Sequence, residues 1–189
     1  TLGDDLQRLN VALLEQPLAP DQDFRLENLN YPVPLCADES CQASGDLERV
    51  ANCYQAINIK LDKCGGLTDA LRMRDWCRQY GKQVMVGNML GSSLAMAPAM
   101  VVAQGATFVD LDGPLWQSSD VLPELQIIDG VIRPPATELW GWRFSAGSAK
   151  GTLSANGAIL DELNQLWEEV HEICTQRIMI LLQLNDPTA

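Results

Sequence analysis

The sequence predicts an α/β protein in which short parallel strands alternate with helices, and three observations carry that expectation. Apolar, β-rich runs alternate with helical patterns through the first 142 residues, the signature of βα units around a parallel sheet. The runs are apolar without strict alternation (INI, VMV, FVDL), as in strands buried on both faces. Four of them end in a charged residue, Glu15, Asp38, Lys60 and Asp110, at the edge where parallel sheets build ligand chemistry. Solvated strand ends are the plainer alternative for those four positions.

The strands are expected at Val11–Glu15, Pro34–Asp38, Ala56–Lys60, Gln83–Gly87 and Phe108–Asp110. Helical patterns lie between them at 21–30, 46–52, 67–80 and 93–104. The clearest is Leu67–Tyr80, where Leu67, Ala70, Leu71, Arg74 and Cys77 recur at helical spacing after the Gly65-Gly66 break. Gly81 closes it as a C′ glycine. After Trp142 the composition changes. Ser145–Gly157 is rich in Ser, Ala and Gly and reads as a flexible linker within 143–157. Residues 158–184 read as one amphipathic helix, with Ile159, Leu163, Leu166, Val170, Ile173, Ile180 and Leu184 on a heptad-like stripe interrupted by Arg177. That helix either covers its own sheet or joins two chains.

A chain of 189 residues suffices for one domain with a real core. Thirteen Lys and Arg against 25 Asp and Glu leave a net charge of -12, which repels phosphate backbones and anionic lipid, so neither nucleic acid nor a membrane is an expected partner. No apolar run approaches the roughly 20 residues of a membrane helix, and a cytoplasmic protein is expected. The six cysteines show no CxxC pair and His171 is the only histidine, which argues for buried, reduced thiols and against a zinc finger or a Ser-His triad.

Five strings occur in a telling order: LLEQPLAPD (13–21), PLCADES (34–40), INIKLDKCGGLTDAL (57–71), VGNMLGSSLAMAPA (86–99) and FVDLDGPLW (108–116). In order and approximate spacing they resemble the muconate-lactonising branch of the enolase superfamily, and within it the dipeptide epimerases. The resemblance spans residues 1 to about 142. It implies a (β/α) barrel whose strand ends hold a divalent metal, Mg²⁺ or Mn²⁺, and an acid/base lysine. By the same resemblance Glu15 and Asp38 are metal ligands, Lys60 is the acid/base catalyst, and Asp110 and Asp112 bind the ammonium group of a dipeptide substrate.

The chemistry accounts for these residue types. Removing a proton α to a carboxylate builds negative charge on two oxygens, which a hard cation held by carboxylates stabilises. A lysine serves as base when its pKa falls toward neutrality, and a nearby metal and partial burial both push that way. Positions two apart on a strand share a face, so Asp110 and Asp112 can clamp one ammonium together. Glu39 is expected on the face opposite Asp38, Lys63 as a solvated surface charge, and Asp62 as a holder of Lys60.

The family's lid domain, its KxK strand and its first metal-ligand aspartate have no counterpart in this sequence. The expected fold is therefore an α/β partial barrel of about five parallel strands, the C-terminal part of a TIM-type barrel, followed by the amphipathic helix. The expected function is a metal-dependent racemase or epimerase acting on a small carboxylate, foremost a dipeptide, truncated and weak or inactive alone. The alternative is a catalytically silent half-barrel that binds or assembles. Self-association is expected through open strand edges or the C-terminal helix.

Overall fold

The structure is a computed structural model that describes residues 2–136 and 138–140. The expected linker and tail helix, with His171, Cys174 and Arg177, lie outside the described residues.

Five strands, β1 (Leu14–Glu15), β2 (Leu35–Ala37), β3 (Ala56–Ile59), β4 (Gln83–Val86) and β5 (Phe108–Val109), form one parallel sheet in the order β1-β2-β3-β4-β5. Each strand lies beside its sequence neighbour with no switch in order, which is the winding of a barrel and not of a doubly wound sheet. The described sheet is thus a half-barrel. All five expected strands are present and each is shorter than its expected run: Asp38, Lys60, Gly87 and Asp110 stand just past the ends of their strands, whereas β1 keeps Glu15 and lacks residues 11–13. Every residue of β2 and β3 is buried, as expected for strands covered on both faces, whereas β4 alternates: Val84 and Val86 are buried, Gln83 and Met85 half-buried.

Helices α1 (Leu2–Arg8), α2 (Leu47–Val50), α3 (Leu61–Cys64), α4 (Leu67–Gln79) and α5 (Ser93–Val102) connect or flank these strands. α4 buries Ala70, Met73 and Cys77 at helical spacing and packs on β3, β4 and α5. It ends in a Schellman motif: Gly81 takes φ +66°, Lys82 N–H donates to Cys77 O (2.8 Å) and Gly81 N–H to Arg78 O (3.4 Å). The helix expected at 21–30 is instead a 3₁₀ segment, Pro20–Leu26, whose Asp23 and Leu26 point inward three residues apart, the eclipsed spacing of that tighter helix. The pattern at 46–52 resolves into a 3₁₀ turn, Ser44–Asp46, leading into α2.

A one-turn helix and a hairpin stand outside the expected elements. The one-turn helix α3 sits between Lys60 and the Gly65-Gly66 break, where both glycines take positive φ. Strands β6 (Ile127–Ile128) and β7 (Val131–Ile132) form a hairpin around Asp129 and Gly130, both at positive φ, the Asp-Gly turn signal that the string IIDGVI carries. No described helix is long and apolar enough to cross a membrane. The five described cysteines, Cys36, Cys41, Cys53, Cys64 and Cys77, are free and buried.

Candidate active site

Parallel pairing of β1, β2 and β3 delivers Glu15, Asp38 and Lys60 to the same end of the sheet. Register sets Glu15 opposite Cys36 and Ala37 opposite Ile57, so Asp38 follows β2 and Lys60 follows β3 at neighbouring exits. Lys60 Nζ donates to Asp38 Oδ2 at 2.7 Å, and the two side chains are 14% and 11% exposed. Glu15 is exposed as a residue, but its carboxyl end is tucked inward and accepts from Asn58 Nδ2 at 2.5 Å.

Lys63 corrects the expectation of a solvated charge. Its side chain is 11% exposed, and Nζ lies 2.5 Å from Asp38 Oδ1, 2.7 Å from Asp38 O and 3.2 Å from both Cys41 O and Asn58 O. The cause is α3, whose single turn returns the residue three after Lys60 to the same side. Asp38 therefore carries one ammonium on each carboxylate oxygen. Asp62, expected to hold Lys60, instead accepts from the Met89 N–H (3.4 Å). Glu39 is exposed and adds only its charge to the surroundings of Lys60.

The electrostatics follow from this geometry. Burial pushes the Glu15 carboxyl upward; the hydrogen bond from Asn58 opposes that, and the charge of Asp38 adds to it. Burial works against the Asp38 carboxylate too, but hydrogen bonds and charge from Lys60 and Lys63 outweigh it and hold Asp38 below the usual range. Burial lowers Lys60, yet Asp38 and then Glu15 outweigh it, so the ammonium is held above its ordinary value. Burial thus pushes Lys60 in the expected direction, and its two carboxylate neighbours push the other way.

Beyond β5, Asp110 and Asp112 stand close enough to hydrogen-bond, and Asp110 is raised by burial, by Asp112 and by Glu15. The charges of Glu15 and Lys60 both reach Asp110, the former raising it and the latter lowering it. Asn88 Nδ2 donates to Asp110 O (2.6 Å), and Trp116 Nε1 donates to Asp112 Oδ2 (2.9 Å). Three contributors escaped the sequence reading. Asn58 lies two residues before Lys60 and so on the same strand face, a period-two signal present in the string INIK. Gly87 leaves room where a Cβ would meet Asn58 Oδ1 at 2.7 Å and Lys60 Cε at 3.1 Å. Gln16 is bonded to the Asp38 and Ser40 backbone. A separate cavity of about 500 Å³, lined in part by Ser118, Asp120, Glu124 and Ile127, lies apart from these residues.

Residues 1–142 match the family described as enolase C-terminal domain-like. The chain is 48% identical over 136 residues to an N-acetyl-D-glutamate racemase from Pseudoalteromonas sp, covering 72% of this chain and 43% of the relative. It is 46% identical over 127 residues to the L-Ala-D/L-Glu epimerase of Escherichia coli (strain K12), covering 67% and 40%. Among solved structures it is similar to an enolase family member from Agrobacterium tumefaciens with homology to dipeptide epimerases, holding sodium and L-Ala-L-Glu (TM-score 0.72, 46% identity, 74% of this chain and 43% of that one). It is also similar to a dipeptide epimerase from Cytophaga hutchinsonii complexed with Mg and D-Ala-L-Val (TM-score 0.64, 29% identity, 69% and 38%). The chain spans less than half the length of these relatives. An unswitched parallel half-barrel with acidic and lysine side chains at its strand ends, together with a match over residues 1–142, makes the chain a member of the enolase C-terminal domain-like family.

Proposed function

We propose that this chain carries one proton-transferring face of a cation-assisted racemase or epimerase that removes the α-proton of a small carboxylate, foremost a dipeptide. The observation that carries the reading is Lys60 Nζ paired with Asp38 at 2.7 Å, with Glu15 alongside at the same sheet edge.

The donor set suits Mg²⁺ or Mn²⁺ in kind. Glu15 and Asp38 are hard oxygen ligands from adjacent strands, and the bonded partner of Glu15 is a neutral amide that leaves its charge uncompensated at contact. Among the described residues no three metal-binding side chains converge, so further oxygen ligands would complete the shell. Held by Glu15 and Asp38, a divalent cation would supply positive charge for the substrate carboxylate. Lys60 Nζ takes or returns the α-proton. Asp38 favours the ammonium form of Lys60, and burial together with a bound cation would push Lys60 toward the base once that pairing is relieved. Lys63, bonded to Asp38 and to three backbone carbonyls, keeps Asp38 in place while Lys60 exchanges. Asp110 and Asp112 hold a substrate ammonium. Relatives are described as acting on L-Ala-D/L-Glu or on N-acetyl-D-glutamate, and this acidic pair favours the substrate with a free amino terminus.

Titration with Mn²⁺, followed by water-proton relaxation, tests the reading. Saturable binding by the wild-type chain that weakens at least about tenfold in Glu15→Gln and Asp38→Asn supports it; no binding removes the cation from the mechanism. The second reading, a catalytically silent assembly module, is favoured by one observation: both Asp38 oxygens already carry ammonium partners, so the site is charge-compensated without a metal. Self-association through the β1 and β5 edges belongs to that reading. Absent Mn²⁺ binding together with a stable dimer in sedimentation would favour it.

A further inference from the structure

The parallel ladder between β1 and β2 runs past the end of β1, and a side chain carries its last step. Leu14 N–H donates to Pro34 O (2.9 Å) and Gln16 N–H to Cys36 O (2.8 Å). In an unbroken parallel ladder the next bond would join the Asp38 N–H to the backbone carbonyl of Gln16. Instead the acceptor is Gln16 Oε1, at 2.9 Å from Asp38 N, and the same oxygen takes the Ser40 N–H at 3.1 Å. Gln16 has φ +38°, which turns its backbone out of the strand, and Pro17 has no N–H with which to continue.

The other end of the carboxamide is equally committed. Gln16 Nε2 lies 2.7 Å from Leu18 O, 2.8 Å from Ser40 Oγ and 3.1 Å from Tyr54 Oη. Ser40 Oγ and Tyr54 Oη donate in turn to Asp23 Oδ1 (2.8 and 2.6 Å), and Arg49 Nη1 reaches Asp23 Oδ2 (3.3 Å). Asp23, Ser40 and Tyr54 are all buried. A left-handed non-glycine residue persists only where its surroundings over-determine it, and here five partners do so.

We infer that Gln16 is a positioning residue whose side chain extends the β1–β2 ladder and fixes Asp38 beside Glu15. The inference rests on the reading of Glu15 and Asp38 as a working carboxylate pair. Neither Gln16 nor Asp38 lies within a strand, since β1 stops at Glu15 and β2 at Ala37; the carboxamide substitutes for the missing ladder bond.

NMR of the isotope-labelled full chain tests the geometry directly. Scalar couplings across the hydrogen bonds are expected from the Asp38 and Ser40 amide nitrogens to Gln16 Cδ; a coupling from Asp38 to the Gln16 backbone carbonyl carbon overturns the inference. Gln16→Met keeps the side-chain length and removes the acceptor. It should speed amide exchange at Asp38 and Ser40 by about tenfold or more, leave exchange of the backbone N–H at position 16, bonded to Cys36 O, unchanged, and weaken Mn²⁺ binding by a similar factor. A folded Gln16→Met chain with unchanged exchange and unchanged Mn²⁺ affinity overturns the inference, and the wild-type couplings decide it should that variant not fold. A wild-type chain that shows both couplings and binds no Mn²⁺ supports the ladder inference and overturns the metal reading instead.

Discussion

Asn58 lies so close over Gly87 that a Cβ at the glycine would stand 2.7 Å from Asn58 Oδ1 and 2.9 Å from Nδ2. Gly87 does not take positive φ, so space and not backbone conformation requires a glycine there. Because the same amide holds Glu15 and the same gap admits the Lys60 stem, Gly87→Ala should crowd two site residues at once. The expected cost is about 1–3 kcal/mol, typical of overpacking a tight site, read as a lower urea midpoint at unchanged slope.

Lys63→Met should destabilise more than Lys60→Met. Lys63 supplies a donor to Asp38 Oδ1 and to three backbone carbonyls, whereas Lys60 serves Asp38 Oδ2. Breaking a buried pair costs about 3–5 kcal/mol. The low end of that range is expected for Lys63→Met, since Lys60 still compensates Asp38. Equal urea midpoints for the two variants would contradict this ranking.

The acid limb of stability should separate Asp38 from Glu15. The Asp38 pKa is depressed by folding, so its contribution is present above the unfolded carboxyl value of about 3.9 and lost as pH falls through the lower folded value. The Glu15 pKa is raised, so its contribution is present below about 4.3 and lost as pH rises through the folded value. Asp38→Asn should therefore lower the melting temperature at pH 7 and flatten the loss below pH 4, while Glu15→Gln should raise it at pH 7. Thermal melts from pH 2.5 to 7 read both signs.

In deuterium oxide with Mg²⁺, the purified chain should exchange the α-proton of a dipeptide slowly and with retention. In the proposed function Lys60 serves one face of the α-carbon; inversion requires proton delivery from the other, and general acid–base catalysis is worth roughly 10²–10⁴ in rate. Lys60→Ala should abolish the exchange seen by proton NMR, and rapid epimerisation by this chain would disprove the single-face assignment.

Substrate choice is testable at the acidic pair. Asp112→Asn should weaken binding of a dipeptide with a free amino terminus by about tenfold, in the range of a charge-assisted hydrogen bond, and leave its N-acetylated analogue unaffected. Calorimetry with the two ligands separates the cases. Trp116 Nε1 bonds Asp112 Oδ2, so a Trp116→Phe control shows whether the loss is due to charge or to a displaced side chain.

The strand order and the meeting of Glu15, Asp38 and Lys60 at one edge were legible in the sequence. Apolar runs ending in a polar residue mark the exits of parallel strands, and sequential βα units leave little freedom over which exits are neighbours. Tertiary structure decided what those side chains do to one another. Lys63 reads as a surface charge along the chain, and only the turn of α3 brings it back to Asp38. The upward shift of Lys60 depends on how closely it meets Asp38, a contact of 2.7 Å that no spacing rule encodes. The role of Gln16 is likewise invisible in the string EQP: its left-handed backbone and the exchange of a side-chain carbonyl for a main-chain one arise from packing against Ser40 and Tyr54, 24 and 38 residues away. Periodicity in a sequence encodes which face a residue takes, whereas hydrogen bonds between distant segments exist only once the chain has closed.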